Sequence, residues 1–268
     1  MATPTIASAL AVPRTPPVRA RAVNAAEVRA MTAALGRVAP GDWSRGTACE
    51  GWTVRDVTAH VVAQYEELSR PWLMAGRVLR ARRRYPHLTP LHGHNLCQVD
   101  ARRSVPPHRL VALLARFGPR GVSAVDRVPP SVRRRIRLSR LFPESRELAE
   151  DSFDYLARVL ISRDTWMHRV DICDATGQEL VLREHDGEVV AQVVLDLALR
   201  WDGPPALLDL AGPAGGRWLL GRGAPAVTVH ADAVTLLRHL SGRAPRGGIV
   251  CEGDADAQAA VMAARVVF

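Results

Sequence analysis

The sequence predicts an α+β protein: a helical N-terminal domain followed by a small domain of mixed helices and strands. Apolar residues recur at helical spacing through most of the first two thirds of the chain, and short extended runs bounded by glycine and proline gather after residue 200. At 268 residues the chain is longer than one ordinary domain. The divisions fall as a tail over residues 1–21, a helical bundle over 22–182 and a C-terminal α+β domain over 183–268.

The tail, beginning MATPTIASALAVPRTPPVRA, has neither the basic start nor the continuous apolar block of a secretory signal. Its four prolines oppose a helical targeting peptide, so it is expected to be disordered. A first helix is predicted from about Ala25 to Val38, with Val28, Met31, Leu35 and Val38 on one face, and PGDW ends it. Cys49-Glu50-Gly51-Trp52 then makes a tight approach to a second helix. Thr53 can cap it, and Asp56, three residues on, can complete a capping box. Val54, Val57, Val61 and Leu68 form its buried stripe, with His60 and Gln64 beside it.

A Pro/Gly/His-rich loop over 86–93 precedes a third helix, roughly Asn95 to Arg102, and a further piece runs from Pro107 to Ala115. Residues 116–141 read as irregular, a lid or long connection. The strongest helical pattern spans Pro143 to Ala175, with Phe153, Leu156, Leu160, Met167 and Val170 on its core face and Gly177 closing it. In the last domain a helix over 187–201 leads to extended runs at 206–211, 217–220 and 226–231. The first two, joined by GPAGG, suit an antiparallel hairpin. A helix over 232–240, a strand over 249–252 and a helix over 254–264 complete the unit.

Composition narrows the function classes. Hydrophobic residues make up 47% and charged residues 24%, as in a globular protein, and no apolar run approaches the ~20 residues of a membrane-spanning helix. Cys49, Cys97, Cys173 and Cys251 are scattered without a C-x-x-C pair, which fits a reducing cytoplasm. The formal charge of +9 comes from 36 basic residues that are all arginine, the coding bias of a high-GC bacterium such as an actinomycete. The clusters RVLRARRR and RRRIRLSR read as solvated helix faces or loops. They lack aromatic interleaving and any nucleic-acid motif, which argues against nucleic acid as a partner.

Asp164 and His168 stand four apart on the long helix and therefore share a face, with Ala157, Leu160 and Ile161 pointing that face into the bundle. A carboxylate and an imidazole in an apolar interior need partners, because a buried unpaired charge costs several kcal/mol. Spacing alone leaves two arrangements open: a buried ion pair with Arg163 or Arg169, or a divalent metal ion to which His60, on a facing helix, adds a third ligand. Three protein ligands with an open position is the arrangement of a catalytic zinc site. Asp171 extends the same face and can orient a ligating histidine or pair with Arg169. His87, His92 and His94 read as loop histidines, and Trp52 and Trp166 as packing residues.

The stretches CEGWTVRDVTAHVV (Cys49 to Val62) and RDTWMHRVDI (Arg163 to Ile172) closely resemble the mycothiol-dependent maleylpyruvate isomerase family. LAGPAGGRWLLG and LLRHLSGR, between Leu210 and Arg243, resemble its C-terminal domain, so nearly the whole chain after residue 22 is covered. The resemblance implies a DinB-like four-helix bundle, a small SCP2-like C-terminal domain, and a divalent metal on His60, Asp164 and His168. Zinc is the expected ion, with nickel or iron as alternatives. The family's acid is glutamate, and this sequence departs from it with Asp164, one methylene shorter.

The resemblance also implies mycothiol as cosubstrate, since a cation favours thiolate over thiol. The activated sulfur adds to a small electrophile. An isomerase then expels the thiol and a transferase keeps it attached. Arg243 is the candidate for fixing the electrophile's carboxylate, with Arg238 one turn away as the alternative. Asn95, Gln98 and Gln64 are candidates for binding the sugar-bearing thiol, and the first two can equally be surface polar residues. The partners are thus a low-molecular-weight thiol and a small electrophile, with no membrane, in a monomer or homodimer. Two other functions fit the same residues: a metal- or ligand-binding regulatory protein without turnover, and a thiol-independent Lewis-acid enzyme of specialised metabolism.

Overall fold

A computed structural model describes residues 6–245 and 247–268 of the chain. It divides into two compact units, Pro16–Leu180 and Val181–Phe268, the latter joined by the N-terminal residues up to Thr15.

The first unit is helical: α1 (Pro17–Leu35), α2 (Val54–Ser69), α3 (Pro71–Arg84), α4 (Pro90–Asp100), α5 (Pro107–Asp126), α6 (Pro130–Arg133), α7 (Phe153–Tyr155) and α8 (Ile161–Thr176). Proline opens α1, α3, α4, α5 and α6, where its missing N–H is one that no helix could satisfy. The long helices α1, α2, α5 and α8 form a four-helix bundle, and α3 and α4 pack on each other, with α4 against α2. Val28, Met31 and Leu35 of α1, Val57, Val61 and Tyr65 of α2, Leu114, Phe117 and Val122 of α5, and Ile161 and Ile172 of α8 close over one core.

The structure departs from the sequence reading at several elements. The segment expected as a disordered tail over 1–21 is ordered wherever it is described: α1 already begins at Pro17, eight residues before the expected start, and ends at Leu35. The RVLRARRR cluster belongs to α3, and α4 begins inside the expected loop because Thr89 caps it, accepting from His92 N at 3.3 Å. The expected irregular stretch 116–141 is α5 as far as Asp126, with Pro119 inside the helix.

Packing overrides the local breakers in α5. A Cβ on Gly118 would lie 2.3 Å from Val28 Cγ1, and one on Gly121 would lie 2.7 Å from the Tyr65 carbonyl oxygen. The glycines that weaken the helix locally are what allow it to press against α1 and α2.

The expected continuous helix over 143–175 is broken. Pro143–Glu147 is a 3₁₀ turn, α7 follows with Ser152 as its cap, and Leu156–Leu160 is a π-helical segment running directly into α8. Widening the helix there disturbs the backbone ladder, and Asn24 of α1 donates its side-chain amide to the Ala157 carbonyl at 3.0 Å. Gly177, at φ 68°, ends α8 in the left-handed conformation, and Gln178 N returns to the Cys173 carbonyl at 2.9 Å. No helix among the described residues is long and apolar enough to cross a membrane.

The second unit is a five-stranded mixed sheet with three helices. In chain order its elements are β1 (Ala7–Ser8), α9 (Glu184–Leu199), β2 (Ala206–Ala211), β3 (Gly216–Leu220), β4 (Val227–Asp232), α10 (Ala233–Leu240), β5 (Val250–Gly253) and α11 (Ala255–Ala263). The spatial order is β1-β3-β2-β4-β5. The expected β2–β3 hairpin is antiparallel, with Leu208 opposite Trp218, while β2 and β4 run parallel. β1, from the expected tail, adds parallel to β3, and Arg14 behind it meets Asp196 of α9 at 2.8 Å. A two-residue strand and one buried ion pair therefore order a segment whose composition reads as disorder. Asp232 caps α10 and Asp254 caps α11, each through its Oδ1.

The close approach of α5 makes a specific expectation. Gly121→Ala should destabilise the bundle by about 1–3 kcal/mol, because the new methyl would meet backbone rather than a movable side chain. The urea midpoint of the purified variant measures this, and an unchanged midpoint would contradict the packing described.

Candidate metal centre

The site is assembled from α2, α4, α8 and the turn before α2. Gly51, at φ 75°, makes the tight turn Cys49 to Trp52, in which Trp52 N returns to the Cys49 carbonyl at 2.9 Å. Thr53 then caps α2 in the expected capping box: its Oγ1 accepts from Asp56 N at 3.3 Å, and Asp56 Oδ2 accepts from Thr53 N at 3.0 Å. This start sets the phase that turns His60 inward. Across from it, Tyr65 donates its hydroxyl proton to Thr165 Oγ1 at 3.1 Å, since Thr165 already donates to the Ile161 carbonyl. That bond holds α2 and α8 in register.

The three expected ligands come together. His60 Nε2 lies 3.6 Å from Asp164 Oδ2, and His168 Nε2 lies 3.5 Å from Asp164 Oδ1. One donor atom from each residue falls within a set whose members are all within 4.8 Å of one another. The two imidazole rings stand edge to face, with centroids 5.1 Å apart. Both histidines are buried, whereas the Asp164 side chain keeps 21% of its surface exposed, so the convergence point is open on the carboxylate side.

Each imidazole is fixed from behind. Gln98 donates its amide N–H to Glu67 Oε2 at 2.7 Å, so its Oε1 must accept from His60 Nδ1, 2.7 Å away. His60 therefore carries its proton on Nδ1 and turns the Nε2 lone pair toward Asp164. His168 Nδ1 faces Asp171 Oδ2 at 3.2 Å, so Asp171 takes the orienting role that the sequence left open. Cys49 Sγ lies 3.8 Å from the same nitrogen and donates to Asp171 Oδ2 at 3.5 Å.

The ion-pair alternative is not what the structure builds around Asp164. Arg169 forms a bidentate pair with Glu27 at 2.8 and 2.9 Å, and Arg163 reaches the Tyr155 hydroxyl at 3.3 Å. Among the described residues Asp164 meets His60, His168 and Gln64. Burial works against its charge, yet His168 holds its carboxyl well below the usual carboxylate range. Burial likewise opposes charge on His168, but Asp164, Asp171 and Cys49 raise it well above the usual imidazole value. Two imidazole nitrogens and a carboxylate oxygen, oriented and free of arginine, are a donor set that suits a divalent cation.

The other expected residues are placed as follows. Gln98 is buried with both ends of its amide engaged, so it positions His60 and does not offer itself to a thiol. Asn95 is half-buried one turn before it on α4. Gln64 donates to Asp164 Oδ2 at 2.8 Å and sits 2.9 Å from His60 Nε2, inside the ligand set and not on a cavity wall. In the second unit Arg238 is buried on α10 and donates Nε to the Ala244 carbonyl at 3.0 Å. It thereby braces the turn through Gly242, φ 81°, that carries the half-buried Arg243. Trp52 packs 5.2 Å from the His60 ring, and Trp166 is wholly buried.

Three residues escape the sequence reading. Cys49, one of the scattered cysteines, stands in the turn that leads to His60. His94, read as a loop histidine, is buried on α4 with Nε2 3.2 Å from Glu67 Oε2. Glu67 lies two turns after His60 on the same helix and also meets Arg77 at 2.6 Å. The overlooked signal was Thr89-Pro90, a cap and first-turn proline that carry α4 back over His94 and place it one turn from Gln98.

Two outcomes follow. Gln98→Leu should lower metal affinity about 10–100-fold by freeing the His60 ring, measured by competition with a chromophoric chelator. Glu67 titrates below its ordinary value of 4.5: burial raises it, but His94 and then Arg77 more than offset this. A depressed carboxylate stabilises the fold above its unfolded pKa and loses that contribution as pH falls through the folded value. Glu67→Gln should therefore cost most near neutrality. The urea midpoints of variant and wild type should converge as pH drops from about 5 toward 3.

Comparison with known proteins places the helical unit in a family. Residues 24–173 match the family model described as the mycothiol maleylpyruvate isomerase N-terminal domain. No curated protein matches the chain. A crystal structure of the mycothiol-dependent maleylpyruvate isomerase shares the fold, at 17% identity and a TM-score of 0.57, over 90% of this chain and 95% of that one. A crystal structure of a histidine-to-alanine mutant of that enzyme matches at 16% identity and a TM-score of 0.56, with the same coverage.

Proposed function

The chain belongs, by that match, to the mycothiol maleylpyruvate isomerase family, and from this premise we propose that it is a metal-dependent, mycothiol-using thiol isomerase or transferase acting on a small electrophile. The observation that supports this reading most directly is the convergence of His60 Nε2 and His168 Nε2 on the two oxygens of Asp164. A divalent cation held by these three residues, zinc in our reading, would supply Lewis acidity that favours thiolate over thiol at its remaining position.

The chain's own residues prepare that position. Gln98 and Asp171 hold the imidazoles from behind, so that both Nε2 atoms point inward and no reorientation of either ring is needed. Trp52 covers one side of His60 and limits water there. The partly exposed edge of Asp164 marks where a thiol and an electrophile can approach. The sulfur then adds to an electrophilic carbon. Loss of the same thiol after bond rotation gives isomerisation, and retention gives a conjugate.

We assign the electrophile's carboxylate to Arg243 and give Arg238 the task of bracing its turn, since the Nε of Arg238 already serves the Ala244 carbonyl. Asn95, on α4, is our remaining candidate for a polar contact to the thiol's sugar. The described cysteines form no disulfide, which fits a reducing, cytoplasmic setting.

Metal analysis of the purified protein tests the centre. Wild type should carry about one zinc, nickel or iron per chain, and His168→Ala should lose it. A wild type without stoichiometric metal, or a variant that retains it, overturns the ligand assignment. Mycothiol should be consumed in the presence of Michael acceptors bearing a carboxylate. Arg243→Ala should raise KM about tenfold or more while leaving metal content intact, as expected for loss of a charge-assisted hydrogen bond. Absence of mycothiol consumption across such acceptors and epoxides overturns the thiol reading.

A further inference from the structure

Gln64 follows His60 by one turn on α2, as His168 follows Asp164 on α8, so two helices each present a pair of polar side chains to one point. Its amide nitrogen lies 2.9 Å from His60 Nε2 and 2.8 Å from Asp164 Oδ2. Both are acceptors here: the proton of His60 is on Nδ1, committed to Gln98, and Asp164 Oδ2 takes an N–H of the Gln64 amide. The two hydrogens of the amide therefore satisfy the very lone pairs that a cation would take.

The other end of the same amide tells against a purely structural role. Gln64 Oε1 is buried and has no hydrogen-bond partner among the described residues. Leaving such an acceptor unsatisfied is unfavourable. A half-turn about the terminal torsion exchanges Oε1 with Nε2 and moves no carbon. Without a cation this is unfavourable, because Oε1 would face a carboxylate oxygen and an imidazole lone pair. With a cation between them, the same oxygen becomes a donor to it, as amide oxygens are for hard and borderline ions.

We propose that Gln64 is a fourth protein donor of this centre: its amide nitrogen caps His60 and Asp164 when the site is empty of metal, and its Oε1 joins them when metal is bound. The inference rests on the reading of His60, Asp164 and His168 as ligands. It makes the donor set two imidazole nitrogens, a carboxylate oxygen and an amide oxygen. A cation so held would offer an incoming thiol either a position beside four protein donors or the place of the weakest of them, the neutral amide of Gln64.

The test uses full-length protein stripped of metal and reloaded with Zn²⁺ or Co²⁺. Zinc affinity is read by chelator competition and coordination by the visible bands of the cobalt form. Gln64→Leu, verified as folded by circular dichroism and melting temperature, should bind zinc about tenfold or more weakly and give stronger cobalt bands, as a site with one donor fewer does. Gln64→Glu should bind more tightly than wild type, because it supplies an anionic oxygen at the same place, and it serves alone if the leucine variant does not fold. Unchanged affinity in either variant overturns the proposal. So does weaker binding in Gln64→Leu with an unchanged cobalt spectrum, which is the result of a residue that only steadies Asp164. A wild type that takes up no zinc, or a His168→Ala variant that binds it as well as wild type, instead overturns the underlying ligand reading.

Discussion

One carboxylate organises the helical unit. Asp164, partly exposed on α8, has its carboxyl held well below the usual carboxylate range, a state that burial opposes and that His168 and the Gln64 amide sustain. Those partners come from two different helices, so the charge can exist there only if α2 and α8 lie at one separation and in one register. The Tyr65–Thr165 hydrogen bond, the capped start of α2 at Thr53 and the left-handed stop of α8 at Gly177 all bear on that register. The rest of the bundle supports it from behind. Gly118 and Gly121 let α5 lie against α1 and α2, and the core of valine, leucine and tyrosine side chains closes around them.

The second layer around the site is asymmetric. His60 rests on a neutral amide, Gln98, which itself leans on Glu67 and through it on Arg77 and His94. His168 rests on a carboxylate, Asp171, with Cys49 beside it. A carboxylate behind an imidazole raises its basicity more than an amide does, so the two rings are unequal donors even though both present Nε2. The difference also separates their structural roles. The chain from His60 leads through α4 to an ion-pair network, while Asp171 stays on the helix of His168 and reaches Cys49 in the turn before α2.

Much of this was legible in residues close together in sequence. The capping box at Thr53 and Asp56, the shared face of Asp164 and His168, the β2–β3 hairpin through GPAGG and the stop at Gly177 follow from rules that act within one or two turns. The errors fell where distant packing overrode such rules. Pro119 and two glycines suggested a break in α5, yet those glycines are the contact surface. A proline-rich N-terminus suggested disorder, yet Ala7–Ser8 pairs with β3 and Arg14 meets Asp196. The apparent long helix over 143–175 has the right apolar pattern but includes a π-helical segment, since periodicity does not register one inserted residue.

The sequence by itself determined which residues could serve as ligands and on which helix faces they stand, because side-chain type and helical phase are local properties. The family motifs around His60 and Asp164 belong to the same level. Only the tertiary structure decided that these faces meet, that Arg163 and Arg169 turn elsewhere, and that Gln98 and Gln64 attend the ligands from opposite sides. Those outcomes depend on interhelical distances set by the whole core, and on which donor is left for each buried acceptor once every neighbour has been placed.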